Sequence, residues 1–391
     1  MITAVIGSIP TSTTTSNEWR QMCISGSPYT VEWILKALEK NGYALDGRDL
    51  VDVAQSNIND GNGFVTQILR VVLNFKDQQR YSIVLKIPDA DLISQSFGGE
   101  VNAVHVNYFN QEIRFYQSFL PHLSIPLPKI YEMVKWVPGE AAGAILMEDL
   151  SDACTIQNVS KGLTLEQLLN IAEHLADLHN SFLKLPEDRR RTFEDDFPPN
   201  GGCMDFQVTV VIDRAAEIAR KYKAVIGNRL NKFLDILKDP VYHYYTAASV
   251  SEAFGLPRVI THGDLWSNNI LWMNSDPTKV GAVLDWQGFC VGSLTFDLSR
   301  ILVLCTSASV RRENTDLVIA QYYRKLENFG FSKSQVMQAY NETVPYQCAH
   351  MLFTIQLLES RLSEDELEEM LHRSAAAFDD IQDYEIVYKK K

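Results

Sequence analysis

The 391-residue chain has no CxxC pair among its six cysteines, Cys23, Cys154, Cys203, Cys290, Cys305 and Cys348. Zinc knuckles and dithiol redox sites need that spacing, so neither is indicated. Cysteines scattered over a chain this long are expected to be reduced and buried, in a reducing, cytoplasmic compartment. Positive charge is also scarce: 36 Lys and Arg stand against 49 Asp and Glu, a formal charge of −13. With no basic block, nothing is available to displace counterions from a nucleic-acid backbone or to hold an anionic membrane surface. Long apolar runs are missing too. The run at 301–305 is far short of the ~20 residues that cross a bilayer. The first Lys or Arg is Arg20, and the early apolar stretch stops at Pro10. Residues 1–29 are therefore expected to be a frayed tail and not a secretory leader. No repeat of 20–50 residues is visible.

What is present is an ordinary globular composition, 46% hydrophobic and 22% charged. At ~100–200 residues per domain this suggests two folding units. Residues 30–41 carry apolar side chains at helical spacing and stop at Gly42, which predicts a helix. A short strand follows at 49–55, then a polar turn at 56–63. Runs rich in β-formers at 64–75 and 80–87 predict a hairpin. A loop with Gly98 and Gly99 leads to an amphipathic helix at 108–120, and 129–137 with 144–148 predict another hairpin. After Leu150 the texture becomes helical. Thr164 and Gln167 have capping-box spacing before the stripe Leu168, Ile171, Leu175, Leu178. Further helices are expected near 207–237, 313–329, 333–360 and 363–380, interrupted by one β pair, 270–273 with 280–284. The class is α+β: residues 1–149 form a lobe with an antiparallel sheet and one helix, and 150–391 a mainly helical lobe.

The most informative stretch is THGDLWSNNIL at 261–271, followed by GAVLDWQ at 281–287. Asp264 and Asn269 lie five residues apart in a loop before the β pair, and Asp285 ends that pair. A hydroxyl held in line, a group to take its proton, and divalent metal on the phosphates are what phosphoryl transfer needs. One carboxylate and one carboxamide suit Mg²⁺, since they leave positions for phosphate and water oxygens. The spacing matches a kinase catalytic loop followed by a metal-binding aspartate. A lone Asp or Asn in a loop is usually a cap or turn former, so the weight rests on the three together. His262 is read as bracing the backbone, and the trio Arg189 to Arg191 as a solvated loop facing Glu194, Asp195 and Asp196.

HGDLWSNN followed by LDWQ resembles the ecdysteroid-kinase-like family, also called CHK-kinase-like. This is a branch of the aminoglycoside and choline phosphotransferase group within the two-lobed protein-kinase-like fold. The likeness runs over roughly residues 45–380 and is most specific at 261–287. It implies ATP and Mg²⁺ as cofactors, Asp264 as the catalytic residue, and Asn269 and Asp285 as metal ligands. It also implies a strand lysine paired with a helix glutamate. Lys86 in IVLKIP matches the first better than Lys76, which lies in a polar turn, and Glu112 in NQEIRFY matches the second. The alternative for Glu112 is a solvated helix charge. Gly61-Asn62-Gly63 stands where a phosphate-covering loop belongs, although Thr66 replaces the third glycine and an ordinary hairpin turn fits as well. The adenine edge would meet the backbone of the connector, Met147, Glu148 and Leu150. Asp297 in FDLSR resembles the residue that braces the catalytic loop.

Only ten residues separate Asp285 from Phe296. A protein kinase builds its peptide platform in that interval with a far longer segment. A small-molecule hydroxyl is the expected acceptor, and the resemblance permits a steroid-like or other lipophilic alcohol. Phe206, Tyr242, Tyr244 and Tyr245 are expected in the core or along the acceptor walls, to which the helix at 340–360 is also expected to contribute. Three other readings stay open: an inactive kinase fold that binds a small molecule or a partner, an ATP-binding regulator, and a choline- or aminoglycoside-type kinase with a polar acceptor.

Overall fold

The computed structural model describes residues 15–58, 65–97, 101, 103–120, 123–199 and 207–388. The chain divides into two compact units, Met1–Phe109 with Lys129–Asp149, and Asn110–Pro128 with Leu150–Lys391.

The first unit is built on an antiparallel sheet of β1 (Leu50–Asn57), β2 (Thr66–Phe75), β3 (Arg80–Pro88), β4 (Ile130–Val137) and β5 (Ala141–Glu148). Their order is β1-β2-β3-β5-β4. In β2, Leu69, Val71, Leu73 and Phe75 are buried at period two, so one face meets the core. β3 is central and buried from Ile83 to Ile87. Helix Val31–Lys40, capped by Thr30, places Val31, Ile34, Leu35 and Leu38 against that face. Burying one such side chain contributes about 1.5–3 kcal/mol.

Part of the expected N-terminal tail is ordered. Residues 16–21 form a helix with a Thr15–Glu18 capping box, and Cys23 bridges to Thr30. Trp19, Met22 and Tyr29 pack on the core cluster of the first unit. Three large apolar side chains in a polar stretch are what holds it down.

The second unit is mainly helical. Helix Leu165–Leu183 has the Thr164–Gln167 capping box and buries Leu168, Ile171, Leu175 and Leu178. Helices Phe296–Leu304, Ala308–Lys325, Lys333–Leu358 and Glu364–Asp380 follow. The helix expected across 207–237 is broken into pieces: a π turn Gln207–Ile212, helix Asp213–Lys221, and short turns up to Leu237. Gly227, at φ 63°, ends one of them because only glycine adopts that conformation freely. Residues 187–196 form a helix, so Arg189 to Arg191 sit on helical turns and not in a loop; Arg191 pairs with Glu187 one turn back.

Two small sheets stand among these helices. β6 (Cys154–Ile156), β8 (Ile270–Met273) and β9 (Asp276–Val283) form one, in the order β6-β8-β9. β7 (Arg258–Thr261) and β10 (Cys290–Ser293) form the other. The single expected β pair is therefore one part of a larger β element. No helix among the described residues is long and apolar enough to cross a membrane.

Candidate functional site

β7 and β10 run antiparallel with Thr261 opposite Cys290. The loop leaving β7 and the loop entering β10 therefore start side by side. Gly263 has φ +81°, and a Cβ built there would lie 2.2 Å from the carbonyl oxygen of Gly288. The two backbones cross at a distance that only glycine permits.

The crossing is pinned from below. Thr295 precedes helix Phe296–Leu304, and Asp297 occupies its first turn. The Asp297 carboxylate accepts the backbone N–H groups of His262 (2.7 Å) and Gly263 (3.1 Å). His262 Nε2 donates to the Leu284 carbonyl at 2.8 Å, and its Nδ1 accepts from Asp264 N at 3.2 Å. The imidazole thus ties the Asp264 loop to the strand end before Asp285, the bracing role read from sequence. Trp286 lies against His262 at 4.6 Å and stacks on Phe115 at 3.9 Å. Its indole N–H donates to Val283.

On this frame stand the three residues the motif singled out. The Asn269 amide nitrogen donates to the Asp264 carbonyl at 2.9 Å, and Leu284 N donates to the Asn269 carbonyl at 2.9 Å. Pairing of Ile270 with Val283 fixes this register, so the β8–β9 hairpin sets Asn269 opposite the segment that ends in Asp285. Asp285 is held at φ 64°, left-handed, which Asp tolerates better than most side chains. Gln287 Nε2 reaches its carboxylate at 3.4 Å. Asp264 forms an ion pair with Arg300, and its side chain keeps 34% of its surface exposed. Burial raises the Asp264 pKa, Arg300 opposes that, and the nearby Asp285 charge reinforces it. Burial also lifts Asp297, to about 6, against the pull of its two backbone donors.

A magnesium ion fits this donor set. The Asn269 amide nitrogen is engaged by Asp264, and the Asn269 amide oxygen and the Asp285 carboxylate would be the ligands. The described residues contain no group of three or more His, Cys, Asp or Glu that would cage a metal by themselves. A two-residue oxygen set suits an ion that completes its shell with phosphate and water.

In the first unit, Lys86 is 5% exposed on central β3, between Ile68 of β2 and Ile145 of β5. Lys76 is on the surface with Asp49. Glu112 belongs to the second unit, on the part of helix Ala103–Phe119 that starts at Asn110; it is 1% exposed and accepts from the Tyr116 hydroxyl at 3.4 Å, so it is not a solvated helix charge. Met147 and Glu148 end β5, and the Glu148 N–H is spent on the Lys129 carbonyl. The Leu150 carbonyl accepts from Ala153 and Cys154. Gly61, Asn62, Gly63 and Phe206 lie outside the described residues. Tyr242 is fully buried and donates to the Glu342 carbonyl.

Arg300, Gly263 and Gly288 were not singled out from sequence. The signal for Arg300 was its place one turn after Asp297 on the same helix face.

Histidine burial gives this unit an acid limit. His179 is 1% exposed, sits against the Tyr322 hydroxyl at 2.5 Å, and burial lowers its pKa to about 3. Burial likewise lowers His350 and His243. A folded pKa below the unfolded value of about 6.5 makes the unfolded state bind more protons, so stability is present above that pH and lost below it. Each fully buried histidine costs about 1.4 kcal/mol per pH unit below 6.5. Asp297, raised, works in the opposite direction between about 4 and 6 and offsets one of them. Urea midpoints at pH 7.5, 6.5 and 5.5 are expected to be level over the first interval and to fall over the second. A level midpoint across both would contradict neutral burial of these rings.

A family model described as "Uncharacterized oxidoreductase dhs-27" matches residues 72–385. A Caenorhabditis elegans protein with that description is 23% identical over 365 residues, 84% of this chain, and this chain spans 42% of its length. A second Caenorhabditis elegans protein, described as an uncharacterized kinase-like protein, is 24% identical over 291 residues, 69% of this chain and 75% of its own. Solved structures similar to this one include the GDP complex of wild-type aminoglycoside 2'-phosphotransferase-IIIa, with TM-score 0.48 and 13% identity over 89% of this chain and 98% of that one. Plasmodium vivax ethanolamine kinase is similar with TM-score 0.46 and 15% identity, covering 93% of each chain.

Proposed function

The chain belongs to the DUF1679 family, and we propose that it is an ATP-dependent kinase that phosphorylates a hydroxyl of a small, steroid-like or otherwise lipophilic acceptor. One observation carries this reading. A single pinned loop and one β-hairpin hold Asp264, Asn269 and the segment of Asp285 in register. A proton acceptor next to a carboxylate and a carboxamide is the donor set that phosphoryl transfer to an alcohol uses.

Asp264 takes the acceptor's proton. Arg300 holds one of its oxygens, which orients the carboxylate and favours its ionised form. Asn269 and Asp285 would hold Mg²⁺. Lys86 would meet the nucleotide phosphates, with Glu112 as its partner, and the backbone at 61–63 would cover them. Adenine would be met along 147–150, at groups other than the Glu148 N–H and the Leu150 carbonyl, which are already bonded. When bound, Mg·ATP supplies the phosphoryl group and the metal charge that offsets it.

The test is a thermal shift with Mg·ATP, paired with ADP release over a panel of small alcohols. The wild type is expected to be stabilised by Mg·ATP and to release ADP with at least one alcohol. Asp285→Ala is expected to lose most of the Mg-dependent stabilisation. Full retention of that stabilisation would remove Asp285 from the metal site.

A further inference from the structure

Helix Lys333–Leu358 is buried along most of its length, yet one face carries Thr343, Gln347, His350 and Thr354. Steps of four, three and four place them in one line along an α-helix. The two threonines satisfy their hydroxyls on their own helix, Thr343 on Tyr340 O at 2.8 Å and Thr354 on His350 O at 2.9 Å. Glu342, next to this line, is also satisfied, by the backbone of Val387 and Tyr388 and by the Tyr245 hydroxyl.

The two central residues are different. Gln347 is 1% exposed, and neither its amide oxygen nor its amide nitrogen has a hydrogen-bond partner among the described residues. His350 Nδ1 accepts from Arg300 at 3.2 Å, so the ring proton is on Nε2, and that buried atom is also unpartnered among the described residues. Arg300 in turn holds Asp264. Three unmet polar atoms therefore sit on successive turns, and the His350 ring that carries one of them touches the arginine that holds the proposed proton acceptor. The rings of Tyr346 and Phe353 pack on His350, and His243 packs on Tyr346. A helix serving only the core would carry leucine at such a position, because an unpaired buried amide loses its water for nothing.

We propose that Gln347 and His350 are specificity-determining residues that bind a second polar group of the acceptor, close to the hydroxyl facing Asp264. The pair presents N–H donors and one carbonyl oxygen. A hydroxyl both donates and accepts, so it meets both, while a ketone meets only the donors. The class of acceptor is an uncharged diol or polyol. This inference rests on the kinase reading above. His350 supports it by staying neutral: burial, then the charges of Arg300 and His243, hold its pKa well below the usual histidine range.

The test is Gln347→Leu in the full chain, with cyclohexanol, cis-1,2-cyclohexanediol and sterols bearing one or two vicinal hydroxyls as probes. Removing an unpaired amide is expected to leave Tm unchanged or to raise it by roughly 2–4 °C. Mg·ATP stabilisation is expected to persist. The preference for the diol over its mono-alcohol, read as a ratio of kcat/KM, is expected to fall at least tenfold. A Tm drop beyond roughly 4 °C would mean that the amide makes a structural bond, and the inference fails. Wild-type turnover with a diol preference that Gln347→Leu leaves intact removes the inference alone. No ADP release by wild type with any probe removes the kinase reading, and this inference with it.

Discussion

Asp264→Asn is expected to lower alcohol-dependent ADP release by about 10²–10⁴-fold, with Mg·ATP stabilisation retained. The substitution is close to isosteric, and the backbone bonds around it do not depend on the charge, although the pair with Arg300 loses its ionic part. Asn269 donates to the Asp264 backbone carbonyl, which any residue keeps. The backbone N–H at 264 donates to His262, which is likewise indifferent to the side chain. An asparagine oxygen still accepts from Arg300, but the amide cannot take a proton. Geometry is kept and proton transfer is lost, so the effect belongs in kcat and not in nucleotide affinity. Lys76→Met is the control, since Lys76 is exposed and its nearest carboxylate, Asp49, lies at 3.7 Å. If Asp264→Asn kept a tenth or more of the wild-type rate, another group would be taking the proton.

The features legible in the sequence are those carried by short separations. Thr164 marks its helix start because a cap and its helix are neighbours in the chain. The β8–β9 hairpin is local, and it carries Asn269 and Asp285 to the same place, so the motif at 261–287 was readable as a unit. Lys86 separates from Lys76 because a strand and a turn differ in pattern, and burial agrees. Pairings across distance were illegible. β6, β7 and β10 are three or four residues long, too short to show a period, and exist only because partners from elsewhere bond to them. Arg300 reaches Asp264 from 36 residues away, and His350 reaches Arg300 from 50. The stretch at 15–29 reads as part of a tail because its anchors, Trp19, Met22 and Tyr29, are spaced by tertiary contact and not by a helical or strand period. Tertiary burial outranked local pattern at each of these places.

The second large effect concerns a residue with no functional group. Gly263→Ala is expected to destabilise the chain by about 3–5 kcal/mol, at the upper end for single substitutions, and to abolish ADP release. Two costs add. A non-glycine residue at φ +81° pays about 1–2 kcal/mol for the left-handed backbone. The new Cβ then meets the Gly288 oxygen at 2.2 Å and the Gly288 carbonyl carbon at 2.9 Å, and both are backbone atoms. Neither side can yield cheaply. Thr261 opposite Cys290 fixes the strands, and Asp297 holds the N–H groups of His262 and of Gly263 itself. Moving the loop would leave the buried Asp297 carboxylate short of its donors, which is the costly outcome for a buried charge. Gly330→Ala separates the two costs. Gly330 has φ +86° but nothing within 4 Å of its Cβ position, so it pays only the backbone cost. Urea midpoints for both variants give the clash energy by difference. A Gly263→Ala loss within about 1 kcal/mol of the Gly330→Ala loss would show that the crossing can open, and that the loop carrying Asp264 is not pinned as described.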